Sequence, residues 1–392
     1  MAGIVPSPMR GRHAGMALAA LWLVLLWVPL AQMLFRVFPE TRLEEKRRRA
    51  EWPVLPSPPS ADGLKRYLAG VDAFITDHFG FRDRLIDLNN RLHLLALRSS
   101  PSDKVVLGKE SWLFYNARSD GQNLVDYCGL APLSAKHLAD IRKNLRLIHD
   151  RLKARGVDFY VLVAPSKHTL YPEMLPDDIV RLAGETRLDQ ITGYLGRHEP
   201  DLGFVDPRAP LREAKESGLL YYPGDTHWSQ RGAFVALRAL MERIGRDHPE
   251  LPPIREEELR WSDDPGLEMY DLAAIAGVPD HPGRIPLPTA TLRSAPAAGW
   301  RPLPEGYPDH PSNRSSSYET EGGGPRLLMY HDSFANSFVH LLNARFSRSV
   351  FLWCRKMDEG IVVRERPDIV VLELGERFLG DLTWTDLFIP AS

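Results

Sequence analysis

Five short stretches, VDFYVLVAPSK (157–167), LGFVDPR (202–208), PRLLMYHDS (325–333), SVFLWC (349–354) and DIVVLELGE (368–376), read as short apolar strands, several of them apolar on successive positions. A strand of that kind has no face to offer water, so it belongs inside a sheet covered on both sides, the habit of parallel sheets with helical crossovers. Helical spacing precedes the first of them: Leu138, Ile141, Leu145, Ile148 and Leu152 recur on one face, and Gly156 is placed to end the helix. The body of the chain therefore reads as one α/β domain. At 392 residues with 44% hydrophobic and 26% charged positions, there is enough apolar material for a large core.

The N-terminal part obeys a different rule. Residues 14–35, AGMALAALWLVLLWVPLAQMLF, carry no charge and form a run long enough to cross a hydrocarbon core of roughly 30 Å as a helix. The run exceeds the about 7–15 apolar residues of a cleaved signal, and no A-x-A-like site closes it. The organisation expected is a short tail (1–13), a transmembrane anchor or uncleaved signal (14–38), a charged and Pro-rich tether (39–61, with EEKRRRAEW and PVLPSPPS), and a domain over 62–392. That domain opens with two amphipathic helices turning at Gly80 and carries a loop-rich insertion at about 250–325. Arg10 and Arg12 precede the apolar run, whereas Arg36, Arg42, Lys46, Arg47, Arg48 and Arg49 follow it, so the positive-inside rule by itself places the body in the cytoplasm. A formal charge of −2 and the lack of a basic stripe interleaved with aromatics argue against nucleic acid as a partner. The two cysteines, Cys128 and Cys354, lie in no C-x-x-C, and either form one disulfide in an oxidising compartment or stay free, the reading favoured being two free thiols.

Two stretches can do chemistry. In RLLMYHDSFANSFVHLL an apolar strand ends at Tyr330 and helical spacing resumes at Phe334, which puts Ser333 at a strand-to-helix turn, where a hydroxyl projects from the sheet edge beside free backbone N–H groups. The same residues also fit a plain helix cap by Asp332 or Ser333. In YYPGDTHWSQRGA, Ser229 is placed to cap the next helix, leaving His227 in the loop before it. Asp225 stands two positions earlier, on the same side of an extended backbone. Asp225 and His227 thus suit half of a Ser-His-Asp triad, half of a metal site that lacks a third ligand, or a helix-entry turn. The residues leave all three open.

Several segments in order, FITDHFGFRDRLIDLNN (74–90), GKESWLFYN (108–116), PSKHTLYPEML (165–175), GDTHWSQRGA (224–233) and HDSF (331–334), resemble the landmarks of the alginate-type polysaccharide O-acetyltransferases, with their SGNH-hydrolase-like domain. The resemblance spans roughly residues 70–380. It implies a flavodoxin-like parallel sheet flanked by helices, a circularly permuted order of catalytic motifs, and a triad of Ser333, His227 and Asp225. It further implies a single-pass inner-membrane protein with its domain in the periplasm, against the simple charge count. A membrane-bound O-acyltransferase would donate acetyl groups, an exported polysaccharide would accept them, and no cofactor or metal would take part. Trp228, Tyr222, Lys167 and His331 are the expected substrate contacts, and His331 replaces the small residue common ahead of the Asp-Ser pair. The rivals are an esterase with the same triad and a non-catalytic glycan-binding subunit of an export complex.

Overall fold

A computed structural model describes residues 8–39, 48–58, 60–117, 121, 123–182, 184–267, 269–294, 298–308, 315–321 and 324–390. Residues 1–7 of the tail, and Arg42, Lys46 and Arg47 of the basic run, lie outside them. The chain divides into two compact units, Met1–Pro101 and Ser102–Ser392.

Among its described residues the first unit contains three α-helices, α1 (Pro8–Phe35), α2 (Ala61–His78) and α3 (Arg82–Arg91), the last continuing as a π-helical turn over Leu92–Ala96. Within α1, Gly15–Phe35 has mean hydropathy 2.1 and is long and apolar enough to cross a membrane. The Ser60 hydroxyl caps α2 by accepting from Gly63 N–H at 3.0 Å. The corner before α3 needs its glycine: a Cβ on Gly80 would run into the Pro29 carbonyl, and Phe81 follows with φ of 66°.

The second unit is built on a seven-stranded sheet. Its strands are β1 (Asp158–Ala164), β2 (Gly203–Val205), β3 (Ala298–Arg301), β4 (Ser316–Thr320), β5 (Arg326–His331), β6 (Arg348–Trp353) and β7 (Ile369–Gly375), in the spatial order β2-β1-β7-β5-β6-β4-β3. The five strands foreseen from their unbroken apolar runs pair in parallel, with Leu372 opposite both Val161 and Tyr330. Helices α5 (Ala135–Lys153) and α7 (Arg187–His198) cover one face, where Ile148, Leu195, Val161 and Leu372 share a core. Helix α9 (Gln230–Asp247) packs on the other with Leu162, Met329 and Val371.

The stretch at 250–325 departs from the loop-rich expectation. It supplies β3 and β4, which join antiparallel at one edge of the sheet, a hairpin pairing Leu259–Ser262 with Thr289–Leu292, and helix α10 (Asp271–Ile275). Four- and five-residue strands such as SSYET have polar side chains on both faces, so no period betrays them. Both cysteines are free thiols.

Candidate active site

β1, β7 and β5 are neighbours and end at one edge of the sheet, at Ala164, Gly375 and His331. Open α/β sheets gather their chemistry at such carboxyl ends. Past β5 the chain turns sharply at Asp332, whose Oδ1 accepts from Phe334 N–H at 3.0 Å and whose Oδ2 accepts from Gly375 N–H at 2.8 Å. Asp332 N–H in turn donates to Glu373 Oε2 at 3.1 Å. Asp332 is thus the cap and ties the turn to β7, which leaves the Ser333 hydroxyl uncommitted to the backbone. Residues 333–337 then form a single turn of 3-10 helix.

The second stretch folds as a tight loop: Tyr222 N–H donates to the His227 carbonyl at 3.3 Å, and Ser229 caps α9 by accepting from Gly232 N–H. Asp225 Oδ1 accepts from both the backbone N–H (2.9 Å) and Nδ1 (2.6 Å) of His227, and His227 Nε2 lies 2.6 Å from Ser333 Oγ. With the Nδ1 proton turned toward the carboxylate, Nε2 is left as acceptor and the serine hydroxyl donates to it. Buried Trp228 joins the two stretches, its indole N–H donating to the Phe334 carbonyl at 2.9 Å.

Charge follows this wiring. Burial alone would favour the neutral imidazole, but the Asp225 hydrogen bond and the charges of Asp225 and Asp271 outweigh it and raise the His227 pKa above its ordinary value. Burial likewise opposes ionisation of Asp225, and the contact with His227 together with two backbone donors holds its carboxyl below the usual range.

Asp271 is the functional neighbour that the sequence did not reveal. It comes from α10 in the insertion, some forty positions downstream, with no spacing to link it to the Asp-x-His loop. Its N–H donates to Asp225 Oδ2 at 2.7 Å, and its carboxylate accepts from Thr226 N–H (2.7 Å) and from the Thr226 hydroxyl. Burial and the Asp225 charge push its pKa up. Asp225, His227 and Asp271 also form the one group of three potential metal ligands among the described residues, so the third ligand missing from the sequence exists. Each nevertheless has its ligand atoms engaged: a cation on Nδ1 would have to displace the 2.6 Å contact to Asp225.

The four residues expected to touch substrate are all buried. Trp228 is 0% exposed, and Tyr222 packs against Tyr270. His331 is buried edge-on against Phe351 and Trp353, with Nδ1 at 2.8 Å from the Asp332 carbonyl. Lys167, in the short helix α6 (Lys167–Leu170), is 4% exposed, and its ammonium donates to the carbonyls of Tyr222 (3.0 Å), Pro223 (2.8 Å) and Asp225 (2.7 Å). The correction has one physical cause. A loop that presents a histidine at a sheet edge needs large and polar groups under it, and sequence position cannot separate the support from what it supports. A narrow crevice beside Thr226 and Phe334 is lined by Asn123, Tyr115, Gly375 and Arg377, and of the four expected contacts only Lys167 borders it. Asn123 is 6% exposed and makes no hydrogen bond through either amide atom among the described residues.

Residues 105–297 match the family model described as "SGNH hydrolase-like domain, acetyltransferase AlgX". The chain is 30% identical over 142 residues to the Pseudomonas putida protein named "Probable alginate O-acetylase AlgJ", covering 36% of this chain and 34% of that protein. Over this part of its length the chain is similar to AlgJ and AlgX. The Azotobacter vinelandii "Alginate biosynthesis protein AlgX" is 27% identical over 118 residues, 30% of this chain and 24% of that one. These alignments span about a third or less of the relatives' own length. Among solved structures, Bacillus cereus PatB1, determined with a sulfonyl adduct, superposes with a TM-score of 0.53 at 16% identity, over 71% of this chain and 98% of that one, which establishes a common fold. The matched family segment contains Asp225 and His227 and ends before Ser333, so the place of Ser333 beside His227 rests on geometry.

Proposed function

We propose that the chain is an O-acetyltransferase that carries an acetyl group on Ser333 to a hydroxyl of an exported, alginate-like polysaccharide. The observation that carries this reading is the continuous path from Asp225 Oδ1 through His227 to Ser333 Oγ, both links being 2.6 Å. In the first half-reaction Ser333 Oγ attacks the acetyl carbonyl of a donor, His227 Nε2 takes the hydroxyl proton, and the leaving group departs with it. In the second, a sugar hydroxyl gives its proton to Nε2 and attacks the acetyl-serine, and the serine oxygen leaves with that proton. Asp225 fixes the imidazole tautomer and stabilises the cation formed in each half. The N–H of Ser333 and the unspent amide of Asn123 serve as oxyanion donors.

In this reading residues 14–38 anchor the chain in the bacterial inner membrane and 39–61 tether it. Residues 62–392 face the periplasm and meet a membrane-bound O-acyltransferase as acetyl donor, the reacting residues all lying in Ser102–Ser392. The motif order fits a circular permutation. Counted from β5, the parallel strands run β5, β6, β7, β1, β2, and their spatial order becomes the 2-1-3-4-5 of flavodoxin-like sheets, with the serine after the first and the histidine after the fifth.

Incubation with a small activated acetyl ester, followed by mass spectrometry of the intact protein and its peptides, tests the reading. One acetyl group on Ser333 is expected, and none on Ser333→Ala. Added uronate oligomer should divert acetyl from free acetate to sugar, because a bound hydroxyl can reach effective molarities far above that of water. An unlabelled Ser333 overturns the covalent mechanism, and acetate release indifferent to every oligomer makes the protein an esterase.

A further inference from the structure

Even the short helices of the second unit, α4 (Asn123–Tyr127) and α8 (Arg208–Ala214), bury their leucines, Leu124 and Leu211. Helices α2 and α3 of the first unit do the opposite. Leu64, Leu68 and Ile75 recur along one face of α2, and Leu85, Leu88 and Leu92 along one face of α3 and its continuation, and all six are exposed. The two stripes meet at the corner, where Ile75, Phe79, Leu85 and Ile86 line one depression. A contiguous apolar patch of this extent marks an interaction surface.

The other side of this hairpin is covered by the chain that leads into it. Arg49 holds Asp83 at 2.6 Å, Ala50 N–H donates to Asp77 Oδ2 at 2.8 Å, the Trp52 and Phe74 rings meet edge-on with centroids 5.1 Å apart, and Pro53 lies so close to Gly70 that a Cβ there would collide with it. One face is sealed from within, and the leucine face is bare.

What covers the bare face follows from where the corner sits. The space beside Gly80 is filled by the Pro29 carbonyl, and the Phe38 and Phe81 rings lie 5.6 Å apart. Gln32 donates through Nε2 to the Phe38 carbonyl and accepts from Phe38 N–H, both at 2.8 Å. The corner is therefore packed on the last turns of α1. Pro29 precedes the end of α1 by roughly 9 Å at 1.5 Å per residue, and Gly15–Phe35 has about the length of a hydrocarbon core. When that stretch spans a bilayer, the corner lies at the edge of the acyl chains, within the roughly 5–10 Å to which amphipathic helices sink. Arg36, Arg82 and Arg84 line the same corner, on stems long enough to carry their charge up to headgroup phosphates.

We infer that α2 and α3 form an interfacial hairpin that lies in the phospholipid leaflet in which α1 ends, its leucine stripe turned to the acyl chains and its covered face to water. The inference rests on the reading of Gly15–Phe35 as the anchor and adds a second, monotopic contact with the same membrane.

The test is spin-label depth measurement on the full-length chain reconstituted in vesicles of phosphatidylethanolamine and phosphatidylglycerol. Single labels are introduced through Leu68→Cys, Ala73→Cys, Leu88→Cys or Leu25→Cys in a chain carrying Cys128→Ser and Cys354→Ser. Oxygen, which concentrates among acyl chains, and a water-soluble nickel chelate serve as the relaxing agents. Oxygen should dominate at Leu25, Leu68 and Leu88 and nickel at Ala73, on the far side of α2, with the two α2 labels differing in depth by about 10 Å, one helix diameter. Leu85→Glu with Leu92→Glu should return the Leu88 label to water while the Leu25 label stays in lipid. Nickel dominating at Leu68 and Leu88 with oxygen dominating at Leu25 overturns the hairpin and leaves the anchor standing, whereas nickel dominating at Leu25 removes the anchor reading itself. A Leu88 label that stays in lipid in the double glutamate variant overturns the role of the stripe. Shielding of Leu68 and Leu88 from both agents, with dipolar broadening between like labels, overturns lipid as the occupant and assigns the stripe to a second copy of the chain.

Discussion

The ammonium of Lys167 sits 2.7 Å from the main-chain oxygen of Asp225, the residue whose side chain steers His227, and it holds the carbonyls of Tyr222 and Pro223 at the same time. Three carbonyls need three N–H donors, and a lysine side chain has three only when charged. Replacing it in Lys167→Met orphans the Asp225 carbonyl, while those of Tyr222 and Pro223 keep the N–H groups of Asp225 and Leu113, so a loss of about 1–3 kcal/mol in a urea titration is expected. A fall in the ester acylation rate should accompany it as the Asp225 loop relaxes. An unchanged rate would show that the loop keeps its shape without the clamp.

Asp225→Asn should leave the fold intact and slow Ser333 acylation by up to roughly 10⁴-fold, since an amide stabilises neither the tautomer nor the cation. Burst kinetics with the small ester, alongside circular dichroism, measure the two separately.

The pH profile should have two limbs. His227 acts only when neutral, and with its pKa raised by Asp225 and Asp271 the acylation rate should drop as pH falls through a value above the ordinary imidazole range. Asp271→Asn removes one of the raising charges and should move that limb to lower pH. On the alkaline side, burial lowers the Lys167 pKa well below that of an exposed lysine, against the pull of Asp225 and Asp271. As pH rises the amine is left with fewer N–H bonds than carbonyls, and the rate should decline. A single limb that Asp271→Asn does not shift would contradict this account.

Trp228→Phe keeps most of the buried ring and deletes the N–H that meets the Phe334 carbonyl. Loss of this buried hydrogen bond should cost about 0.5–1.5 kcal/mol. Because that carbonyl belongs to the turn carrying Ser333, acylation should slow in parallel with the loss of stability.

Asn123→Ala should lower kcat for the small ester by about 10²–10³-fold with little change in KM, the pattern of a donor that acts in the transition state. Proportional changes in KM would assign Asn123 to ground-state binding.

The sequence disclosed the parallel strands because Val161, Leu162 and Val163, or Val370 and Val371, are apolar side by side and so demand cover on both faces. It singled out Ser333, Asp225 and His227 as candidates because turn chemistry and a two-residue spacing are local properties, and only the family resemblance joined them into a triad. Lys167, Asp271 and Asn123 were hidden, or misassigned, for the opposite reason. Each reaches the site across the fold, and a lysine that spends all its donors on backbone carbonyls looks, in a sequence, like any lysine in a loop. Burial likewise decided Trp228 and His331, and burial is a property of the packed sheet.

β7 lies between β1, which belongs to the half bearing the Asp225 loop, and β5, which bears Ser333. It is also the last of the seven strands to be synthesised. A ribosome or a translocation channel therefore releases a chain whose nucleophile and base are carried on two separate pairs of parallel strands, β1 with β2 and β5 with β6. Only when the final strand slides between them do the two meet. On the proposed acyl-transfer reading, a nascent chain would therefore gain its chemistry only once the last strand is in place.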